Sequence, residues 1–247
     1  MKRINHALIM AAGRGARLMP LTAVIPKGMA PYLGSTLIAE GIRKIRPHIK
    51  TLDITVGYKG PQLAEHVIEL GVNSVFNTEG NGNAWWIYNT LLKHLDEPMF
   101  VLTCDNVIEL DFQQLEREYY HYGQPACMVV PVEPVPSLQG DYIFQKNNVV
   151  TKLDRHQTSD RYCSGIQIIN PAKINRLTNP VDDFYEVWEQ LIAQGQVYSS
   201  DIYPKRWFTV DTFDQLCKLN AHEVEDENAL ASLQSSLSDG ELCLELK

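Results

Sequence analysis

Three cations crowd one short stretch of this 247-residue chain: Arg14, Arg17 and Lys27. They surround the string Ala11-Ala12-Gly13-Arg14-Gly15-Ala16-Arg17, which follows the apolar run Ala7–Ala12. Glycines let a backbone approach an anion closely and turn its N–H groups toward it. Pro20 and Pro26 stiffen the segment that leads to Lys27. Charge of this kind stands out because the chain as a whole is acidic, with 22 Lys and Arg against 30 Asp and Glu. Such a protein can hold a polyphosphate through a local basic patch. Nucleic-acid binding by the whole surface is disfavoured, because it needs many cations at once. The loop is not a Walker A motif, since no Gly-Lys-Ser/Thr ends it. It is not a dinucleotide fingerprint either, since Leu18 stands where the third glycine belongs.

Other chemistries find little support. The five cysteines are an odd number and form no C-x-x-C pair, so a zinc ribbon or a thioredoxin-type site is not indicated. No H-E-x-x-H occurs among the seven histidines. The expected state is free thiols in a reducing cytosol, hence a cytoplasmic protein. The early apolar run is too short for a signal segment or a membrane span, and no later run reaches 18 apolar residues, so no membrane partner is expected.

Over its full length, Gly13 to Lys27, the loop reads G-x-G-x-R-L-x-P-L-T-x-x-x-P-K. This closely resembles the signature of the nucleoside-triphosphate transferases that activate sugar 1-phosphates. That family includes thymidylyl- and uridylyltransferases and a phosphocholine cytidylyltransferase. Phe100–Asn106 looks like the family's strand ending in a metal-binding Asp, here Asp105. Ser164-Gly165-Ile166 resembles the strand near the substrate. Trp207–Thr212 is similar to the segment carrying a second metal ligand, here Asp211.

The resemblance implies an Mg²⁺-dependent reaction in which a substrate phosphate oxygen attacks the α-phosphorus of an NTP and pyrophosphate leaves. Arg17 and Lys27 are then the catalytic cations. Ala11, Ala12, Gly13, Arg14, Gly15 and Ala16 cradle the nucleotide, together with Asn81, Gly82 and Asn83 from Asn77–Ala84. Asn offers both a donor and an acceptor, which suits a pyrimidine edge, and Gly82 allows close packing on the base. UTP, CTP and dTTP all remain open. Gly140, Lys152 and Gly165 are the candidate acceptor-binding residues, and Arg155 is a second candidate for the acceptor phosphate. Asp211 is also a preferred cap for a helix over Phe213–Leu219. Trp85 and Trp86 are about 100° apart on a helix, so one faces the core. The other is available to an aromatic cage for a cationic head group such as choline. Three readings are therefore carried: a sugar 1-phosphate nucleotidyltransferase, a cytidylyltransferase for phosphocholine or another non-sugar phosphate, and a nucleotide-binding regulatory subunit without catalysis. The partners are an NTP and a phosphorylated small molecule; a homo-oligomer is compatible with the chain.

The elements that must place these residues alternate. Strands are expected at Ala7–Ala12, Leu52–Gly57, Val72–Phe76, Met99–Thr103 and Ala126–Val132. Between them come helices capped at Ser35, opened by Pro61, running from Asn83 to Leu95, and over Asp111–Tyr122. Strands separated by single helices imply right-handed crossovers. The fold class is α/β: a Rossmann-like, mixed and mostly parallel sheet with helices on both faces. Close-spaced strands at Tyr142–Gln145, Asn148–Leu153 and Tyr162–Ile169 add a small antiparallel β layer. A helix over Val181–Gln194 and a strand at Arg206–Asp211 follow. Residues 1–223 are read as one domain and 224–247 as an acidic tail or docked helix. With 45% apolar residues, the chain can fill a full core.

Overall fold

The computed structural model describes residues 3–135 and 140–221. The tail expected at 224–247, and the boundary placed at 223, lie outside the described residues. Strand β1 (His6–Ala11) opens the chain. A short helix α1 (Leu21–Val24) and a hairpin of β2 (Pro31–Tyr32) and β3 (Ser35–Thr36) follow. Helix α2 (Leu37–Ile45) is capped by Thr36, whose hydroxyl accepts the Ala39 N–H at 3.2 Å. The cap is therefore one residue beyond Ser35, which is taken up in the hairpin. Next come β4 (Thr51–Val56), α3 (Gly60–Glu69) with Pro61 in its first turn, and β5 (Ser74–Asn77).

The helix expected from Asn83 to Leu95 is two pieces. Helix α4 (Trp85–Asn89) stops at Thr90, and a 3-10 turn covers Leu91–His94. Thr90 causes the break, because its hydroxyl donates back to the Trp86 carbonyl and accepts the Leu92 N–H. Side-chain bonding to nearby backbone competes in this way with a continuous helix. Then β6 (Met99–Thr103), β7 (Asn106–Glu109), α5 (Phe112–His121) and β8 (Cys127–Val132) follow.

The second half adds β9 (Tyr142–Lys146), β10 (Val149–Asp154), β11 (Tyr162–Ile169), α6 (Pro171–Leu177), α7 (Phe184–Ile192), β12 (Val197–Ser199) and β13 (Arg206–Thr209). Residues 213–221 are helical. Helix α6 is not among the expected elements, although Asn170 caps it and Pro171 occupies its first turn, both recognisable start signals.

One nine-stranded sheet runs in the order β5-β4-β1-β6-β11-β8-β12-β10-β9. Its first four strands are parallel. Strand β11 is antiparallel to both β6 and β8. The close-spaced strands β9, β10 and β11 are antiparallel as expected, but they extend this sheet instead of standing apart from it. The small extra sheets are β7 with β13, and β2 with β3.

Alternation along β1 splits the core between two faces. Ala7, Ile9 and Ala11 pack with α2, α3 and α5, while Leu8 packs with α4 and α7. A third cluster joins Leu18 to Tyr32, Leu37, Val107, Val210, Leu216 and Leu219. It clamps the segment after the glycine loop against the last strand and the 213–221 helix. Among the described residues no helix is long and apolar enough to cross a membrane.

Candidate functional site

The glycine loop leaves the carboxyl end of β1 and turns back on itself. Gly15 sits at φ 63°, in the left-handed region that favours glycine. A side chain there would press on the Cβ of Lys27 at 3.0 Å. The buried Thr22 hydroxyl donates to the Gly15 carbonyl at 3.0 Å. Pro26 precedes Lys27, which opens a 3-10 turn (Lys27–Met29). Gly28 in that turn lies against Ile38 and Cys104. These contacts bring Lys27 to the end of β6.

The two carboxylates are brought together by a small antiparallel ribbon outside the main sheet. Strands β7 and β13 form an antiparallel ribbon in which Thr209 opposes Asn106. Asp105 directly precedes β7, and its carbonyl accepts the Val210 N–H at 2.9 Å. Asp211 is the next residue. The ribbon thus sets Asp105 and Asp211 side by side across a long stretch of sequence.

Lys27 lies between them. Its Nζ donates to Asp105 Oδ2 at 2.5 Å and to Asp211 Oδ1 at 2.9 Å. Arg17 Nη2 reaches the same Asp211 oxygen at 2.9 Å. Burial works against the charge on Lys27, but Asp105 and then Asp211 outweigh it and hold the ammonium above its ordinary value of 10.5. Asp211 does not cap the following helix. Thr212 does: its hydroxyl accepts the Gln215 N–H, and Gln215 Oε1 accepts the N–H groups of Asp211 and Thr212. This reciprocal cap leaves the Asp211 carboxylate for the two cations.

These groups share one cleft of about 630 Å³. The expected residues Ala11, Ala12, Gly13, Arg14, Gly15, Ala16, Arg17, Lys27, Asn81, Gly82, Asn83, Asp105 and Asp211 all line it. Arg14 stands over the Tyr58 ring, 5.5 Å from its centroid. Cys104 is in the wall as well, but burial pushes its thiol up to about 12, which rules it out as a nucleophile at neutral pH.

In the 78–83 loop, Gly82 has a structural duty. A Cβ there would sit 2.2 Å from the Asp182 carbonyl oxygen, so the loop packs on Asp182 on that side, and Gly82 also lines the cleft. Asn83 does not cap α4, whose N-cap is Ala84. Its side-chain oxygen instead accepts the Phe184 N–H at the start of α7 at 2.8 Å.

Three acceptor candidates lie elsewhere. Gly140 is not in the cleft wall; a Cβ there would collide with the Tyr162 hydroxyl. Lys152 is half exposed and pairs with Asp154 at 2.5 Å. Arg155 bonds Asp141 at 3.0 Å and stacks over Tyr185. Gly165, at φ 82°, lies beside the cleft, and a side chain there would meet Asn106 at 3.2 Å and Thr103 at 3.3 Å. The Ser164 carbonyl accepts from both Asn106 Nδ2, at 2.7 Å, and Trp207 Nε1, at 3.0 Å, which ties this strand to the ribbon.

Trp86 is the core member of the tryptophan pair, at 1% exposure, yet it also lines the cleft. Trp85 is half-buried and absent from the wall. Met10, Thr55, Tyr58, Thr78, Glu79, Gly80 and Thr103 also line the wall without having been singled out in the sequence. The signal that finds them is position: Thr55 and Thr103 end parallel strands, and Tyr58 and Thr78 follow such ends, where open α/β sheets bind ligands.

Residues 6–226 match the family described as nucleotidyl transferase. The chain belongs to that family. A mannose-1-phosphate guanylyltransferase catalytic subunit beta of Drosophila melanogaster is 25% identical over 211 residues, covering 80% of this chain and 57% of the relative. The chain thus spans little more than half the length of the curated relatives it matches. A structure described as a glucose-1-phosphate thymidylyltransferase from Bacillus anthracis superposes with a TM-score of 0.72 at 17% identity, over 88% of this chain and 94% of that one. The inositol-1-phosphate CTP transferase of T. maritima gives 0.68 at 15% identity, over 87% and 92%. These superpositions show the fold of the nine-stranded mixed sheet described above.

Proposed function

We propose that this chain transfers a nucleoside monophosphate from an NTP, a pyrimidine NTP by preference, to a sugar 1-phosphate. The observation that carries the reading is Lys27 held between Asp105 and Asp211, with Arg17 on the same carboxylate, at the mouth of the glycine loop. The acceptor phosphate is mostly dianionic near pH 7, since a phosphate monoester has its second pKa at about 6. One of its oxygens forms the new bond to the α-phosphorus. The bond from that phosphorus to the bridging oxygen breaks, and the electron pair leaves with pyrophosphate. No general base is needed, so positioning and charge neutralisation supply the catalysis. Main-chain N–H groups of Gly13 to Ala16 orient the triphosphate, Arg17 meets the leaving phosphates, and Lys27 meets the α-phosphate and the incoming oxygen.

Asp105 and Asp211 are the residues that would hold Mg²⁺. They present only oxygen donors and converge tightly enough to share one ammonium, which suits a hard cation bound by few carboxylates plus phosphate oxygens. When bound, such an ion neutralises charge on the triphosphate. Asn81 would present its amide to a pyrimidine edge.

The other two readings are less well supported. An aromatic cage for choline needs at least two ring faces on the cleft, whereas Trp85 is not in the wall and Arg14 covers Tyr58. A regulatory subunit without catalysis has no use for four charged groups converging on one point. The test is pyrophosphate release with each of the five common NTPs, Mg²⁺, and a panel of sugar 1-phosphates with phosphocholine included. Turnover with a pyrimidine NTP and a sugar 1-phosphate is expected. Turnover with GTP alone overturns the base assignment, turnover with phosphocholine alone overturns the acceptor, and nucleotide binding without release overturns catalysis.

A further inference from the structure

Two polar side-chain atoms in the cleft wall have no partner among the described residues: Thr103 Oγ1 and Trp86 Nε1. Their neighbours show how unusual this is. Three threonines line the cleft. The Thr55 hydroxyl accepts the Ala11 N–H at 3.2 Å, and the Thr78 hydroxyl donates to the Val56 carbonyl at 3.4 Å. Only Thr103 is left over. Among the indoles, Trp188 donates to Gln167 at 3.1 Å and Trp207 to the Ser164 carbonyl at 3.0 Å. Trp86 is fully buried and donates to nothing. Buried polar groups without partners are costly, and each calls for an explanation.

Thr103 is well placed to receive a ligand. It is the last residue of β6, in register with Met10 on β1, which is itself in register with Thr55 on β4. Met10, Thr55 and Thr103 therefore form a floor across three parallel strand ends, and all three line the cleft. Two residues further on is Asp105. Beside Thr103 is Gly165, where a Cβ would come within 3.3 Å of the Thr103 methyl and 3.6 Å of its hydroxyl. The residue is half-buried while its oxygen is sealed. A change of the single torsion χ1, among its staggered wells, moves the hydroxyl without moving the strand.

We propose that Thr103 is a specificity-determining residue. Its hydroxyl, with the Trp86 indole N–H as a second donor, reads an oxygen on the acceptor ring beside the reacting phosphate. This rests on the transferase reading above and adds to it the residues that distinguish one hydroxylated acceptor from another. The chemistry is a neutral hydrogen bond between Thr103 and a ring hydroxyl. A site built around such a bond discriminates against the analogue that lacks the hydroxyl.

Thr103→Val and Thr103→Ser supply the test, with two readouts. The first needs no ligand. Because the hydroxyl has no partner in the free protein, Thr103→Val is expected to keep or raise Tm. A fall in Tm of more than a few degrees would show that the hydroxyl is already satisfied, and would overturn the proposal. The second uses the acceptor turned over by the wild-type protein and its monodeoxy analogues. Thr103→Val is expected to raise the acceptor KM roughly tenfold, with the NTP KM unchanged and Thr103→Ser close to wild type. One deoxy analogue, poor with the wild type, should be used by Thr103→Val as well as the parent acceptor. An unchanged acceptor KM, or a rise in the NTP KM instead, refutes the role of Thr103. Failure of the transferase reading looks different: the wild-type protein itself turns over no acceptor.

Discussion

The two ends of the cleft were built by different means. At the triphosphate end, four charged residues far apart in the chain meet within hydrogen-bond distance: Arg17, Lys27, Asp105 and Asp211. At the acceptor end, the charged candidates Lys152 and Arg155 spend themselves on Asp154 and Asp141, away from the cleft. In the proposed reaction the acceptor is met there by a threonine and an indole, with Gly165 behind the threonine. Transfer chemistry demands charge neutralisation whatever the acceptor, so the first end is specified by residue type. Choice of acceptor demands shape and single hydrogen bonds, so the second end is specified by packing.

The sharpest way to break this contrast is at the carboxylates. Asp105→Asn keeps the shape and removes the charge. It is expected to lower kcat by roughly 10³-fold, as loss of a group that stabilises transition-state charge in a water-poor site does. A steady-state assay over a range of Mg²⁺ concentrations checks it, and a loss below tenfold would move the metal elsewhere. Lys27→Met is expected to cost roughly 10²-fold in kcat, with a smaller change in acceptor KM. Its ion pairs also contribute to stability. That contribution is complete below the unfolded value of 10.5 and is lost only as pH rises through the higher folded value. Lys27 therefore gives no pH dependence in the neutral range, and a stability loss between neutral and mildly alkaline pH must come from another group.

Next in size is the tryptophan pair. Trp86 is buried in the cluster that joins α4 to α7, with Phe184 edge-on at 6.4 Å. Trp86→Ala is expected to cost about 3–5 kcal/mol of stability, and Trp85→Ala about 1 kcal/mol. Urea denaturation of both variants measures the difference. Equal losses would mean that both rings are core.

Much of the triphosphate end is legible in the residues themselves. A glycine loop with Arg and Lys at fixed offsets, and the segment around Asp105, carry the resemblance that names them. What was not legible is the route by which Asp211 arrives. The ribbon of β7 and β13 depends on pairing between residues about a hundred positions apart, and no local pattern encodes that register. Local choices between near-equivalent residues were also hard to separate. Ser35 and Thr36 are both good caps, and only the hairpin decides between them. Asp211 and Thr212 are likewise both good caps, and Gln215, three residues past Thr212, was the available sign that Thr212 wins. Gly82 reads as a close-approach position because glycine has no side chain, and Gly140 reads as an acceptor contact by resemblance; in the fold the atoms pressed against them are those of Asp182 and Tyr162. The sequence states that something comes close and is silent on what.

The smallest expected effect belongs to Lys152, and it tests the contrast most directly. Lys152 stands on β10, one strand from the sheet edge, with its ammonium 2.5 Å from Asp154 and 3.1 Å from Gln157. Lys152 holds Asp154 well below the usual carboxylate range, with help from the backbone N–H groups of Gln157 and His156. An exposed pair of this kind contributes little to stability. If the acceptor phosphate is neutralised at the Lys27 end, Lys152→Ala should change acceptor kcat/KM by no more than about twofold, the size of an ordinary surface substitution. A tenfold rise in acceptor KM would require Lys152 to leave Asp154 and reach the bound phosphate. The antiparallel end of the sheet would then close over the cleft during the reaction, and the acceptor would be held by charge after all.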